Sequence, residues 1–282
     1  MKILANSHKI EIIERGKGTP LVLIHGSLSD CRSWALQMKL FSKNFQTIAV
    51  SLPSMYPKPL EREKNLAIIL QHADDLSSII KDFKQGPVHL VGHSRGGALA
   101  LILAAGHPDL FQSVVLADPA PFDTILPNSP EVLAELKKRK NFILKAVGHI
   151  KKGDLDKGLE LFTDAVSNKG VWKNLPETGK QIRRENAWSL NSLILDGKVL
   201  FTAKDTMKID MPVLLVTGEK SPCLYGMMHA ELESRLCNFK KIIISNASHG
   251  MHRDNPDEFN TAVLDFLMKH NNRKDRSDTI EK

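Results

Sequence analysis

The stretch Pro87-Val-His-Leu-Val-Gly-His-Ser-Arg-Gly-Gly-Ala-Leu-Ala-Leu101 decides how the chain is read. A short apolar run, Val88 to Val91, meets Gly92-His-Ser-Arg-Gly96, and an Ala/Leu-rich helical pattern follows. The pattern predicts a strand, a sharp turn and a helix, with Ser94 at the turn. A backbone forced through so tight a turn needs small neighbours, which Gly92 and Gly96 supply. The turn lifts the Ser94 hydroxyl clear of both elements, and the N–H groups at the start of the helix favour negative charge developing there. A plain helix-capping serine is the blander reading. The G-x-S-x-G spacing between a strand and a helix argues instead for a reactive hydroxyl.

Outward from this turn, the same alternation repeats. Two short β-like runs within Lys2 to Glu14 suggest an antiparallel hairpin. Leu21 to Ile24, Thr47 to Val50, Val114 to Ala117, Val213 to Val216 and Lys241 to Ser245 are further strands, the apolar ones having the continuous character of strands buried on both faces. Helical spacing marks Cys31 to Ser42, Leu66 to Phe83, Leu224 to Leu236 and Pro256 to His270, and Ser51 to Pro59, with three prolines, reads as loop. Between Phe122 and Asp210 no strand of comparable strength occurs. Helical patterns over Pro130 to Ile150, Leu155 to Val166 and Thr178 to Leu195 dominate there. The expected organisation is an α/β core over residues 1–121 and 211–270, a helical cap over 122–210, and a polar tail over 271–282. Strands alternating with helices imply a mostly parallel central sheet flanked by helices, with the site beyond the strand C-terminal ends.

The formal net charge is +7. No basic stripe with interleaved aromatics accompanies it, and Lys137-Lys-Arg-Lys140 reads as the solvated face of a helix, so nucleic acid is not an expected partner. Three cysteines without C-x-x-C spacing suggest neither a disulfide framework nor a zinc site. With no signal-peptide core and no bilayer-length apolar run, the expectation is a cytoplasmic protein without membrane insertion, monomeric or homodimeric, taking a small-molecule substrate. No metal spacing or phosphate-cradling loop implies a cofactor.

The motifs Leu90-Val-Gly-His-Ser-Arg-Gly-Gly97 and Asn246-Ala-Ser-His-Gly-Met-His-Arg-Asp-Asn-Pro256, with His25-Gly26 after the third strand, make the chain resemble the α/β-hydrolase superfamily over residues 1 to about 270. The resemblance implies a cofactor-independent serine hydrolase. Ser94 is then the nucleophile and His249 its base, since a serine hydroxyl needs a proton acceptor within reach. His252, three residues on, is the alternative base. The acid is less direct. The family often places an Asp after the seventh strand, two residues beyond a Gly-Glu pair, but Ser221 stands there. Asp118, after the sixth strand, is preferred over Glu219, and a turn-capping role also fits Asp118. The order Ser94, Asp118, His249 keeps the family's order of nucleophile, acid and base. The oxyanion hole is expected from the N–H groups of Arg95 and Ser27, with Leu28 as second choice. His25, Leu28, His93, Trp188 and His252 are candidate pocket residues. Trp34, Trp172, Trp188, Met227 and Met228 fit plain core better than pocket. Related chemistries on the same apparatus are C–C bond hydrolysis, lactonase and perhydrolase activity; a non-catalytic ligand-binding role is the rival of another class. The resemblance calls for Asp at position 94 in dehalogenases and epoxide hydrolases, and this chain has Ser94.

Overall fold

The computed structural model describes residues 2–5, 8–53, 55, 68–83, 86–196 and 199–271. The elements run in the order β1 (Lys2–Ala5), β2 (His8–Arg15), β3 (Pro20–Ile24), α1 (Ala35–Phe41), β4 (Gln46–Val50), α2 (Ile68–Asp82), β5 (Val88–His93), α3 (Arg95–Gly106) and β6 (Phe111–Ala117). Six helices follow: α4 (Pro130–Lys151), α5 (Leu155–Val166), α6 (Val171–Asn174), α7 (Glu177–Glu185), α8 (Leu190–Asp196) and α9 (Ala203–Thr206). The chain then returns through β7 (Val213–Gly218), α10 (Cys223–Glu233), β8 (Phe239–Ile244), α11 (Met251–Asp254) and α12 (Pro256–Lys269).

The eight strands form one sheet in the order β1-β2-β4-β3-β5-β6-β7-β8. β1 and β2 pair antiparallel at one edge, and all pairings from β4 to β8 are parallel. The apolar runs are continuous because successive side chains go to opposite faces, and both faces are covered. Val22, Ile24, Leu90, Val114, Leu116, Val213 and Leu215 enter one core, whereas Leu21, Leu23, Val91, Val115, Ala117, Leu214 and Val216 enter the other. β8 departs from this rule. It is the edge strand and is mostly exposed, with Lys240 and Lys241 beside Ile243; lysines on an open edge discourage pairing with another chain.

Parallel register sets the site's position. Ile24 aligns with Gly92, His93 with Ala117, and Ala117 with Val216. The next residues therefore emerge side by side on one edge of the sheet. The turn is held by Ser94 N–H donating to the Ala117 carbonyl and Ala120 N–H donating to the Ser94 carbonyl, both at 2.9 Å. The non-glycine residues with positive φ among the described residues are Leu28 (56°), Ser94 (53°), Asp118 (40°) and Asn246 (56°). All four follow parallel strands at this same edge, where local strain is concentrated.

Helices α4 to α9 occupy the stretch between β6 and β7. They have a core of their own, including Ile143, Val147, Leu159, Phe162, Trp172 and Leu190, and Leu28 from the loop after β3 plugs into it. Two buried polar clusters moor this cap. Arg95, 2% exposed, is ion-paired with Asp196 of α8 at 2.7 Å and donates to His72 Nδ1 at 3.1 Å. On the other side, Asp30 accepts from Arg32 and from Asn186 Nδ2, and Arg32 also pairs with Glu185 of α7. Removing one partner of the buried Arg95–Asp196 pair costs on the order of 3–5 kcal/mol, because the remaining charge is stranded.

Local differences from expectation have visible causes. Cys31 to Trp34 is a 3-10 turn preceding α1, started by Asp30 accepting from Arg32 N–H. The helix expected over Thr178 to Leu195 is broken, α7 ending at Glu185 and α8 starting at Leu190. Asn186 turns its side chain to Asp30 and the Ile182 carbonyl at that break. The expected starts of the Leu66 helix and the ends of the Ser51 to Pro59 loop and polar tail lie outside the described residues.

A Cβ on Gly96 would lie 2.4 Å from the Ile24 carbonyl oxygen, whereas one on Gly148 in α4 meets nothing within 4 Å. Gly96→Ala is therefore expected to destabilise the protein by about 3 kcal/mol in urea unfolding, while Gly148→Ala gains about 0.5–1 kcal/mol.

Candidate active site

Ser94 caps α3 with φ 53° and ψ −119°, a conformation that presents its side chain away from both flanking elements. The close approach around it is tight. A Cβ on Gly92 would sit 2.3 Å from the Gly96 carbonyl oxygen, and one on Gly97 would sit 2.8 Å from Pro119 Cα. The N–H groups of Ser27 and Arg95 take part in none of the backbone hydrogen bonds that close the surrounding turns. Ser27, Leu28 and Ser94 help line one cavity.

Asp118 is fully buried and its carboxylate gathers three side chains. Oδ2 accepts from Ser221 Oγ at 2.6 Å and from His249 Nδ1 at 3.3 Å, and Oδ1 lies 3.4 Å from His229 Nε2. Burial alone would raise this carboxyl, but His229, His249 and Ser221 together hold it well below the usual carboxylate range. Asp118 is therefore an acceptor only, and His249 must donate Nδ1–H to it. In the neutral ring Nε2 then carries the lone pair. Glu219 lies elsewhere: it is exposed and accepts from Asn246 N–H at 2.8 Å.

The lone pair of His249 does not meet Ser94 directly among the described hydrogen bonds. The Tyr225 hydroxyl is 3.2 Å from Nε2 and lies beside Ser94. Its ring stacks on the imidazole with centroids 4.1 Å apart and planes 15° apart. Burial, and then the Asp118 carboxylate, raise the phenol's pKa, so it acts as a neutral hydroxyl. Tyr225 and His229 were not singled out from the sequence. Their signal is their spacing: four apart on α10, they share one helix face, and that face turns toward Asp118 and His249.

The other histidines have defined roles. His25 donates from Nδ1 to the Gly26 carbonyl at 2.7 Å and accepts the Leu52 N–H on Nε2 at 3.0 Å, so it pins the β3 loop as a neutral ring. Burial pushes it down to about 4. His93 donates from Nε2 to the His249 carbonyl at 2.7 Å and braces the loop that carries His249. His252 packs against His93 and Trp34, with ring centroids 4.5 and 4.9 Å away. Burial, followed by neighbouring positive groups, lowers both His93 and His252 well below the ordinary imidazole value. His252 makes no contact with Asp118 among the described residues, in contrast to His249.

A cavity of about 40 Å³ opens beside Ser94, lined by His93, His249, His252 and Leu28 and, from the cap, by Phe162 and Arg183. His25 is buried and is not among the residues that line it. Trp188 lies apart from it, packed half-buried on the main core. Trp34, Trp172, Met227 and Met228 likewise belong to the cores. Among the described residues no three His, Cys, Asp or Glu side chains converge as metal ligands would, and no helix is long and apolar enough to cross a membrane.

A family model described as the alpha/beta hydrolase family matches residues 21–262. The chain belongs to that family. As an α/β-fold hydrolase it is 29% identical to epoxide hydrolase 3 of Xenopus tropicalis, over 90% of this chain and 72% of that one. It is 25% identical to the 2-(acetamidomethylene)succinate hydrolase of Mesorhizobium japonicum, over 92% and 91%. Among solved structures, the enol-lactonase from Burkholderia xenovorans LB400 superposes with a TM-score of 0.76 at 19% identity, covering 95% of this hydrolase and 100% of that chain. Naproxen esterase from Bacillus subtilis gives 0.73 at 21%, covering 95% and 90%.

The buried neutral imidazoles make stability depend on pH. His25 takes up a proton near 6.5 when unfolded but only near 4 when folded. The unfolded state therefore binds more protons between these values, and stability falls as the pH drops through that window. Urea unfolding at pH 5 should show a loss of about 2 kcal/mol from His25 alone relative to pH 7.5.

Proposed function

We propose that this hydrolase is a cofactor-independent serine enzyme that cleaves an ester-like acyl bond of a small molecule through an acyl-enzyme. The observation that carries this reading is the chain Ser221–Asp118–His249 ending at the cavity into which strained Ser94 projects. Ser94 Oγ attacks the substrate carbonyl carbon, and its proton goes to His249 Nε2. The oxyanion is held by the N–H groups of Ser27 and Arg95. The C–O bond to the leaving group then breaks, and His249 returns the proton to the departing oxygen. Water, deprotonated by His249 in turn, releases the acid and restores Ser94. Asp118 fixes the tautomer of His249 and stabilises the imidazolium.

The curated relatives include an esterase from Mycobacterium tuberculosis, 22% identical, besides epoxide hydrolases. Ser94 in place of the carboxylate expected for epoxide opening favours acyl chemistry here. Cap helices α5 and α7 reach the cavity and are the parts placed to choose the substrate.

A fluorophosphonate probe should label Ser94, and Ser94→Ala and His249→Ala should each lower kcat/KM for a reactive aryl ester by about 10⁴-fold or more. An intact protein that never labels defeats the reading. Asp118→Asn should lose about 10³–10⁴-fold, while Glu219→Gln stays within about threefold; the reverse pattern would show the acid to be misassigned. At rest Tyr225 engages the Nε2 that Ser94 needs. Tyr225→Phe should therefore speed Ser94 labelling a few-fold, whereas a loss beyond about tenfold would make the hydroxyl part of the proton path.

A further inference from the structure

The cavity beside Ser94 holds more cationic and donor groups than its protein partners use. Arg183 of α7 is 9% exposed, and its recorded side-chain hydrogen bond is to the Gly179 carbonyl in its own helix. Arg253 of α11 lies against Gly250, where a Cβ would be 2.6 Å from Nη2, so its guanidinium sits beside the residue following His249. Its Nε is buried without a partner, as are His252 Nδ1 and Thr163 Oγ1. All four side chains line the same cavity as Ser94, and among the described residues no Asp or Glu lines it. The nearest acid to both arginines is Asp254, which is exposed, accepts the Ser248 N–H, and forms no ion pair with either among the described residues. Burial and mutual repulsion work against the charged form of Arg183. Two guanidiniums in one largely buried pocket, with only the exposed Asp254 carboxylate acting on both and no ion pair to either among the described residues, are costly unless a ligand supplies more negative charge.

We infer that Arg183 and Arg253, with Thr163 and His252, form a carboxylate subsite, and that the substrate is an acyl compound carrying a second, ionised carboxyl group such as the half-ester of a dicarboxylic acid. This rests on Ser94 as the attacking group. A carboxylate is an acceptor only, with about four lone-pair positions, and guanidinium groups present matching donors. Held there, it anchors the far end of the substrate while the ester carbonyl lies at Ser94.

The test compares 4-nitrophenyl hydrogen adipate with methyl 4-nitrophenyl adipate, which masks the carboxylate at nearly the same size. The acid should be preferred by about tenfold or more in kcat/KM, and Arg183→Gln and Arg253→Gln should each lower its value by about 10–100-fold while moving that of the diester by less than about threefold. Arg183→Lys, which keeps the charge, should restore part of the loss. In parallel, calorimetry on Ser94→Ala should detect adipate binding that Arg183→Gln abolishes. Equal rates for the two esters with no adipate binding would overturn the carboxylate subsite and leave the serine hydrolase reading standing. Binding of inorganic phosphate without adipate would overturn it as well. Adipate binding by a protein that cleaves neither ester would sink the acyl chemistry and support the subsite.

Discussion

The site depends first on a steric constraint: β3, β5 and α3 approach so closely around Ser94 that two positions have no room for a side-chain carbon. Gly96 lies against the Ile24 and His25 carbonyls, and Gly92 against the Gly96 carbonyl. With these gaps filled only by hydrogen, the chain can reverse from strand to helix within one residue. The left-handed geometry this forces on Ser94 is a local cost that backbone bonds to Ala117 and Ala120 offset. Because β5 sits between β3 and β6, the same turn sets the level of the His25 loop on one side and of Asp118 on the other.

Asp118 is the electrostatic counterpart of that constraint. Its carboxylate is fully buried, so it needs donors, and the donors come from different parts of the chain: Ser221 from the loop after β7, His249 from the loop after β8, His229 from α10. Ser221 occupies the place where an acid was sought in the sequence. In the fold it donates its hydroxyl to Asp118, which follows the neighbouring strand. The Ser221 hydroxyl and His249 Nδ1 both meet Oδ2, whereas Oδ1 has only the longer approach of His229 Nε2, 3.4 Å away.

The fold was legible because two strong periodicities carry it. Continuous apolar runs such as Leu21 to Ile24 and Val213 to Val216 can only be strands covered on both faces, and Leu155 to Val166 matches its helix end to end. That Ser94, Asp118 and His249 gather at one end of the sheet was legible because each follows a parallel strand. Tyr225 and His229 were not, since a tyrosine and a histidine on an ordinary helix mean nothing until tertiary packing aims that helix. Arg183 was hidden for the same reason: in a sequence rich in basic residues it reads as one more solvated charge. The break at Asn186 was also beyond reach, because its cause is a hydrogen bond to Asp30, 156 residues away.

Arg95 belongs to two parts of the molecule at once. Its backbone opens α3 beside Ser94, and its side chain is ion-paired with the last residue of α8 in the cap. The roof over the cavity and the turn that presents the serine thus share a residue, and the shared bond is buried rather than washed by solvent. Anyone transplanting a different cap onto this core would have to supply a new carboxylate for that guanidinium, or exchange the arginine itself. Otherwise the graft would leave an unmatched buried charge on the residue that follows Ser94.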